Sequence, residues 1–303
     1  MNYVKYSQFN KLPEELKPIF LRSNVVVIND NFEPLYTEKS FIKDLWGGRG
    51  AGRSHHATDY ADYLLQTLPY CRIAILRFNL DSVRDSLWQD FVDRLSSRNS
   101  LHKYEISNHA MRATCKKTGN KIIAKGVKST ANQTAKMKSL AGFTHVIIEE
   151  ADEMPKEDFR KLSLSIRKKG VDIEIIRLFN PPMKEHWIWG DYTLYPSVYD
   201  GYFSAEVKQD SGILSIFGTY ESNIHNLSDD YIKNLGKNKD NDIGKDDWLK
   251  DGLGLISSGM KGAIYRNWKK ISLEAYNALN VSTYYGIDWG TNDPFCLVEV
   301  KIT

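Results

Sequence analysis

A glycine-rich segment near residue 50 constrains the fold of this chain more than any other feature. Residues 47–54 read Gly-Gly-Arg-Gly-Ala-Gly-Arg-Ser, which fits the pattern Gly-x-x-x-x-Gly-Lys-[Ser/Thr] except that Arg53 replaces the lysine. The preceding residues, Phe41 to Trp46, can form a strand, and His55 to Leu65 carry apolar residues at helical spacing. Strand, glycine turn and helix in this order predict a phosphate-binding loop (P-loop); an ordinary glycine turn capped by a serine is the alternative.

The chemistry expected of this loop is phosphate binding by backbone groups. Glycines let successive N–H groups curl around a phosphate, and the helix N-terminus adds the positive end of its dipole. The hydroxyl of Ser54 is a candidate ligand of Mg²⁺. The candidate nucleotide-binding residues are Gly47, Gly48, Arg49, Gly50, Ala51, Gly52, Arg53 and Ser54.

A second motif is an apolar strand, His145 to Ile148, that runs directly into Glu149 and Glu150. In P-loop NTPases an acid at the end of such a strand holds Mg²⁺, and a further residue orients the attacking water. We assign the metal role to Glu149 and the catalytic-base role to Glu150. The alternative is a buried strand before an acidic helix start near Pro155. The acids that would favour that first helical turn are Asp152, Glu153, Glu157 and Asp158. Both motifs in this order favour a site for ATP and Mg²⁺.

Length and composition exclude several classes of protein. With 303 residues, 42% hydrophobic and 12% aromatic, the chain has room for one large domain and a smaller one. No apolar run reaches the roughly eighteen residues of a membrane span, and the N-terminus lacks signal-peptide form. The three cysteines, Cys71, Cys115 and Cys296, are scattered, which argues against a disulfide framework and structural zinc and fits a reducing cytoplasm. A net charge of +3 is too small to imply nucleic-acid binding.

The distribution of charge is more informative than its total. Residues 107–148 contain no Asp or Glu. Their eight basic residues are Arg112, Lys116, Lys117, Lys121, Lys125, Lys128, Lys136 and Lys138. One interpretation is a basic surface that faces DNA phosphates or the nucleotide of a neighbouring subunit. The other is a solvated hairpin over Lys116 to Ile123, whose lysines prevent edge-to-edge aggregation.

The order of predicted elements alternates between strands and helices. The further predicted elements are a strand at Cys71 to Arg77, a helix at Ser82 to Leu95, a helix at Pro155 to Lys168 and a strand at Asp172 to Phe179. Such alternation predicts an α/β fold, a mostly parallel sheet flanked by helices. Asn180 follows the last of these strands, at the sheet edge where ligands bind, and could sense a γ-phosphate; a simple turn before two prolines is the alternative. The polar stretch Gly236 to Gly244 is the best candidate for a linker.

Taken together, the chain resembles the large terminase subunit of tailed bacteriophages. The segments that carry the resemblance are residues 47–52, Lys136-Met137-Lys138-Ser139 running into Ile148-Glu149-Glu150-Ala151, Asn180-Pro181-Pro182, and Thr219-Tyr220-Glu221-Ser222-Asn223. The resemblance spans roughly Phe32 to Pro294. It implies a P-loop ATPase that assembles as a ring on the portal of the procapsid, works with a small terminase subunit, and pumps and cuts double-stranded DNA. It also implies that Arg49 stabilises charge on the γ-phosphate and that Asn180 couples hydrolysis to movement.

The last segment resembles the first strand of the terminase nuclease domain, which has an RNase H-like fold. Within Tyr284 to Pro294, Asp288 matches its first metal-binding carboxylate. Two-metal cleavage needs several carboxylates, and after Pro294 the only acid is Glu299. We therefore expect an incomplete nuclease domain, no cleavage of DNA, and a strand around Ile287 that lacks pairing partners. Mg²⁺ or Mn²⁺ would bind there only in a complete protein. The predicted domains are an ATPase domain (1–210), a lid or linker region (211–262) and the start of a nuclease domain (263–303).

Three functions therefore remain open at the level of sequence. The first is an ATP-hydrolysing DNA-packaging motor subunit. The second is a nucleotide-binding module with weak hydrolysis, because the planar fork of Arg53 does not occupy the space of a lysine ammonium. The third is a helicase-like P-loop ATPase. The residues upstream of the loop that could pack around the adenine, or equally form core, are Phe32, Pro34, Leu35 and Tyr36.

Overall fold

The structure is a computed structural model that describes residues 2–22, 25–77, 87–126, 140, 142–237, 239–240, 244–259, 271–288 and 296–302. The resemblance segment Lys136 to Ser139 and the basic residue Lys128 lie outside the described residues. Contacts divide the chain into two compact units, Met1–Lys261 and Gly262–Thr303. The three-domain division made from the sequence stays a prediction.

The first unit contains thirteen described strands. In chain order they are β1 (Asn2–Lys5), β2 (Val25–Ile28), β3 (Ile42–Gly47), β4 (Arg72–Arg77), β5 (Tyr104–Ser107), β6 (Arg112–Cys115), β7 (Lys121–Gly126), β8 (His145–Glu149), β9 (Glu174–Phe179), β10 (Tyr192–Pro196), β11 (Tyr202–Val207), β12 (Ile213–Gly218) and β13 (Ile256–Ser257). The described α-helices are α1 (Tyr6–Phe9), α2 (Lys17–Arg22), α3 (Glu33–Thr37), α4 (Arg53–Thr67), α5 (Gln89–Ser97), α6 (Lys156–Ser165), α7 (Asp229–Gly236) and α8 (Lys245–Asp247).

An eight-stranded sheet with the order β12-β3-β9-β8-β4-β7-β6-β5 organises this unit. The pairs from β12 to β7 are parallel, and β6 and β5 add an antiparallel edge. The predicted α/β fold with a mostly parallel sheet is therefore confirmed. Because β9 lies between β3 and β8, the P-loop strand and the acidic strand are separated by the strand that leads to Asn180. Residues from the predicted lid region, in β12, pair with the P-loop strand and complete that side of the sheet.

The strands β4 and β8 are apolar between their end residues because both faces of the sheet are covered. Alternate residues of each strand enter opposite cores: in β8, Ile147 packs in one cluster, and Val146 and Ile148 pack in the other. The first core also contains the apolar face of α4, including Ala57 and Leu65. This packing fixes the helix that follows the P-loop against the sheet.

Several predicted boundaries shift in the structure. The helix predicted from Ser82 is described only as α5, because residues 78–86 lie outside the described part of the chain. Asp152 and Glu153 do not join the helix after Pro155 but form a separate 3₁₀ turn, Ala151–Glu153. In that helix, α6, the first turn does carry Glu157 and Asp158. The predicted hairpin around residues 116–123 is present as β6 and β7.

The second unit contains the helix α9 (Leu273–Asn277) and an antiparallel hairpin of β14 (Thr283–Asp288) and β15 (Cys296–Lys301). The expectation that the strand around Ile287 has no pairing partner is wrong, since Ile287 lies opposite Leu297. The hairpin forms because β15 supplies the ladder partner within the same unit. Among the helices of the described residues, none has both the length and the apolar character needed to cross a membrane.

Candidate nucleotide-binding site

The P-loop connects the end of β3 to the start of α4, as the sequence predicts. Gly50 and Gly52 have φ values of +75° and +82°, in the left-handed region that favours glycine. Gly47 has no room for a side chain, because an added Cβ would lie 2.0 Å from the carbonyl oxygen of Gly218. These glycines are therefore required by the turn and by the close approach of β12.

The first residues of the loop are held by two other segments of the chain. The N–H of Gly48 donates to the carbonyl of Gly218 (3.0 Å), and the N–H of Arg49 donates to the carbonyl of Asp251 (2.6 Å). The Arg49 side chain, 62% exposed, pairs through Nε with the Asp251 carboxylate at 3.1 Å. An ion pair this exposed contributes at most about 1 kcal/mol. Arg49 is therefore free to exchange Asp251 for another anion.

Arg53 lies at the carboxyl end of the sheet, where its guanidinium bridges two strands. It donates to the carbonyl oxygens of Gly47 and Phe179 and to Oδ1 of Asn180. Burial lowers the pKa of Arg53 to about 10, an effect that the nearby Asp152 opposes. The side chain thus stays charged at neutral pH and is occupied by protein acceptors.

This contact unites two candidates that the sequence treated separately. Asn180 directly follows β9, and β9 pairs with the P-loop strand in parallel, so both strands end at the same edge. Asn180 Oδ1 accepts a hydrogen bond from Arg53, which begins α4. The residue after β9 and the first residue of the P-loop helix are therefore directly linked.

The acids at the end of β8, Glu149 and Glu150, face an arginine that the sequence analysis missed. Arg77, at the end of the neighbouring strand β4, donates from Nε to Oε2 of Glu150 at 2.9 Å. Its terminal nitrogens lie 2.5 Å from Glu150 and 3.8 Å from Glu149. The sequence did offer a signal for this pairing: one buried strand ends in a basic residue and another ends in acids. The pairing depends on β4 and β8 being neighbours, which the sequence does not specify.

Glu150 has a strained backbone. Its φ is +50°, a conformation uncommon for a residue other than glycine. Such strain persists only where the surroundings enforce it, and it is concentrated at functional sites. Its side chain is 38% exposed, compared with 15% for Glu149. The more open position suits a base that reaches a reactant, and the more buried one suits a metal ligand.

Asp152 is a further acid of this edge. Burial, helped by the charges of Glu153 and Glu150, raises its pKa to about 6, whereas Arg53 acts in the opposite direction. In the sequence analysis Asp152 entered only the alternative interpretation, as an acid that would favour the first turn of a helix near Pro155. In the structure its carboxylate interacts electrostatically with Arg53.

The polar groups at this edge fit a nucleoside triphosphate with Mg²⁺. Backbone N–H groups at a helix N-terminus and the cation of Arg53 suit phosphates, and oxygen ligands such as Ser54 and Glu149 suit Mg²⁺. Within the described residues, no three His, Cys, Asp or Glu side chains form a metal site of their own. Mg²⁺ would therefore take its remaining ligands from phosphate and water, which is its usual preference.

Comparison with known proteins identifies the family. A profile described as phage terminase large subunit matches residues 39–252, which include the whole of this site. The chain belongs to the phage terminase large subunit family. The search of curated proteins returned no match.

Solved structures share the fold of this terminase chain. The large terminase of a thermophilic bacteriophage has a TM-score of 0.57 at 15% identity, with 88% of this chain and 61% of that chain covered. The complex of the same large terminase with ADP gives 0.54 at 14%, with 90% and 63% covered. The ATPase domain of the large terminase of Thermus phage P74-26 gives 0.54 at 12%, with 80% and 99% covered. This terminase chain thus spans less than two thirds of the first of these proteins.

Two groups of sequence candidates remain, the residues considered for the adenine and Asp288. Phe32 and Leu35, considered for the adenine, are fully buried in the first core, and the Phe32 ring stacks on His56 at 4.2 Å between centroids. That position supports the core interpretation. Asp288 ends β14 in the second unit, and its side chain lies outside the described residues, so its metal role stays a prediction.

Proposed function

We propose that this chain is the Mg²⁺-dependent, ATP-hydrolysing part of a phage motor that moves double-stranded DNA into the procapsid. The observation that carries the proposal is the meeting of three strand ends at one sheet edge: the P-loop after β3, Asn180 after β9, and Glu149 and Glu150 at the end of β8. Membership in the terminase family supplies the biological setting. A relative of the same fold has been solved in complex with ADP.

Each residue has a defined task in this proposal. The loop N–H groups bind the phosphates, and Ser54 with Glu149 holds Mg²⁺, which neutralises phosphate charge when bound. Glu150 orients and deprotonates the attacking water, which requires that it exchange its contact with Arg77 for that water. Arg49 turns from Asp251 toward the γ-phosphate. Asn180 reports on the phosphate through its hydrogen bond with Arg53.

A second candidate is a nucleotide-binding module that hydrolyses ATP slowly. Two observations favour it: the guanidinium of Arg53 is occupied by Gly47, Phe179 and Asn180, and Glu150 is paired with Arg77. Both sets of interactions must open for rapid turnover. In the described part of the chain, a helicase-like ATPase has no specific contact in its favour.

The deciding experiment measures nucleotide affinity and steady-state hydrolysis of the same preparation, with and without double-stranded DNA, portal and procapsid. A motor subunit binds ATP and hydrolyses it faster when DNA and procapsid are added. Binding with negligible turnover under every condition would establish the module instead. The absence of any ATP binding would contradict both functions.

DNA binding is assigned to the exposed basic residues of the hairpin β6–β7. Replacing Lys116, Lys117 and Lys121 by glutamine should reduce DNA affinity and flatten its salt dependence, by about 0.9 in log–log slope for each phosphate that is no longer neutralised. The matched control neutralises the exposed cluster Arg167, Lys168 and Lys169, which should keep the parental slope. An unaltered slope in the hairpin variant would leave the hairpin as a solvated edge.

The remaining assignments concern the whole protein rather than this site. We propose a ring of such subunits on the portal in the host cytoplasm, loaded with DNA by a small terminase subunit. Asp288 is proposed as one metal ligand of a nuclease centre that needs further carboxylates for Mg²⁺ or Mn²⁺.

A further inference from the structure

A buried asparagine from another part of the chain holds the P-loop. Asn223 lies in the 3₁₀ turn Tyr220–Asn226 and is only 6% exposed. Its Nδ2 donates to the carbonyl oxygen of Gly50 at 2.7 Å. Its Oδ1 accepts from Nδ2 of Asn29 and from Nδ2 of Asn226, each at 2.8 Å. Asn223 therefore joins the loop and its own turn to the segment that contains Asn29.

The orientation of the Asn223 amide is fixed by this network. An amide offers two donor hydrogens on nitrogen and two acceptor lone pairs on oxygen. Two amide donors converge on Oδ1, so the nitrogen must face the carbonyl of Gly50; a flipped amide would place its oxygen against that carbonyl oxygen. Asn29 is itself held, since its Oδ1 lies 3.0 Å from Nε2 of His225. The ring of His225 stacks on that of Tyr6 with 3.4 Å between centroids.

The bond to Gly50 determines where the next N–H points. A trans peptide is planar, and its C=O and N–H point in opposite directions. Because Asn223 holds the Gly50 carbonyl toward itself, the N–H of Ala51 points away from Asn223. Gly52 packs against the same side chain, since an added Cβ there would lie 3.2 Å from Asn223 Nδ2. Asn223 thus acts on the part of the loop whose N–H groups meet a phosphate.

We propose that Asn223 is the positioning residue that sets the peptide orientation of the P-loop and thereby its affinity for a nucleotide phosphate. The proposal rests on the nucleotide-binding function proposed above and adds a residue outside the loop to the phosphate site. Because Asn223 acts through the loop backbone, its effect is on binding. Loss of the bond leaves the Gly50 carbonyl without its buried partner and lets the peptide rotate.

The test compares Asn223→Ala with Asn120→Ala. Asn120 is the matched control: it is 4% exposed and donates to the carbonyls of Leu65 and Leu68, so it is an equally buried amide whose bonds are made outside the loop. We expect Asn223→Ala to raise the Kd for ADP and ATP-γ-S by about tenfold or more, and to raise KM more than it lowers kcat. Asn120→Ala should lower Tm but leave both Kd values unchanged.

Two further measurements test the same proposal. Hydrogen exchange of a peptide covering residues 47–54 should accelerate in Asn223→Ala and not in Asn120→Ala. If Asn223→Ala fails to fold, Asn29→Ala, which removes one of the two donors that orient the Asn223 amide while leaving Asn223 in place, should raise the same Kd. Parental affinity in a folded Asn223→Ala, or the same loss of affinity in both alanine variants, would overturn the proposal. If the parent protein binds no nucleotide, the proposed function fails, and hydrogen exchange still tests the loop orientation.

Discussion

The two ends of the parallel sheet carry similar residue types but have different roles. At the carboxyl ends of the strands lie the P-loop, Arg53, Asn180 and the acids after β8. At the amino ends lie residues that begin or precede the same strands: Lys43 of β3, Glu174 of β9, His145 of β8 and Cys71 before β4. The four residues of the amino-end group are all buried, whereas in the carboxyl-end group Arg49 is exposed and Glu150 is half-buried.

The residues of the amino-end group are linked to one another by polar contacts. Lys43 Nζ lies 2.9 Å from Oε1 of Glu174 and donates to Tyr60, whose hydroxyl donates to Oε2 of the same carboxylate. Sγ of Cys71 lies 3.5 Å from Nδ1 of His145, and Nε2 of that ring lies 3.8 Å from Glu174. Cysteine, histidine and glutamate are the residue types of a nucleophilic triad.

Burial makes Cys71 unsuitable as a nucleophile. It raises the pKa of the Cys71 thiol to about 12 and, together with the charge of Lys43, lowers the pKa of His145 to about 4. A thiol that stays protonated is a poor nucleophile, and one that is fully buried cannot be reached by a substrate. The amino-end group therefore stabilises the fold. The carboxyl end has glycine-rich backbone, strain at Glu150 and ion pairs that a ligand can replace.

The largest expected effect lies at the amino end. Lys43→Met should lower the free energy of unfolding by about 3–5 kcal/mol, because it removes one partner of a buried ion pair and leaves the charge of Glu174 behind. Urea unfolding measures the loss. Turnover per folded molecule should stay at the parental value, and the double variant with Glu174→Met should recover much of the stability. Lost turnover with stability retained would reverse the roles of the two ends.

Glu150→Gln is the complementary change at the carboxyl end. It should leave ATP binding nearly intact and lower kcat by roughly 10²-fold, the scale of losing a general base. Glu149→Ala should instead weaken Mg²⁺-dependent binding. Single-turnover hydrolysis and equilibrium binding separate these results. Parental turnover in Glu150→Gln would show that another group, with Asp152 the first to examine, acts as the base.

Lowering the pH should change the stability contributions of the two ends of the sheet in opposite directions. The pKa of Asp152 is raised to about 6, so its contribution to stability is present near pH 4 and is lost as pH rises through 6. The pKa of His145 is lowered, so its contribution is present above about pH 6.5 and is lost as pH falls toward 4. From about pH 4.5 to about pH 6.5, stability should rise more steeply in Asp152→Asn than in the parent and less steeply in His145→Gln. Urea unfolding of the parent and both variants at these two pH values measures the change in stability. The same change in all three proteins would contradict the prediction.

The smallest expected effect is that of Arg53→Lys. Lysine restores the usual loop and gives up part of the fork that Arg53 extends to Phe179 and Asn180. We expect unchanged or faster hydrolysis, measured at saturating ATP. The control is Arg53→Gln, which removes the charge and should weaken phosphate binding. A clear loss of turnover in Arg53→Lys would show that the pocket has adapted to arginine.

Local pattern was sufficient for much of the carboxyl end. The loop, the strand before it and the helix after it follow from glycine content and apolar spacing, which act within a few residues. Asn180 could be placed near the loop because parallel strands end at one edge. The same pattern predicted the hairpin β6–β7, but it missed the pairing of β14 with β15, whose described side chains are almost all exposed.

The sequence by itself determined the class of fold, the P-loop and the acids that end β8. Only the tertiary structure decided which groups meet: Arg53 with Asn180, Arg77 with Glu150, and Asn223 with Gly50. These partners are far apart along the chain, and their contacts depend on the order of strands in the sheet and on where the segment after β12 returns. Strand order is set by the packing of two cores against both faces of the sheet, a property of the whole unit that no local pattern encodes.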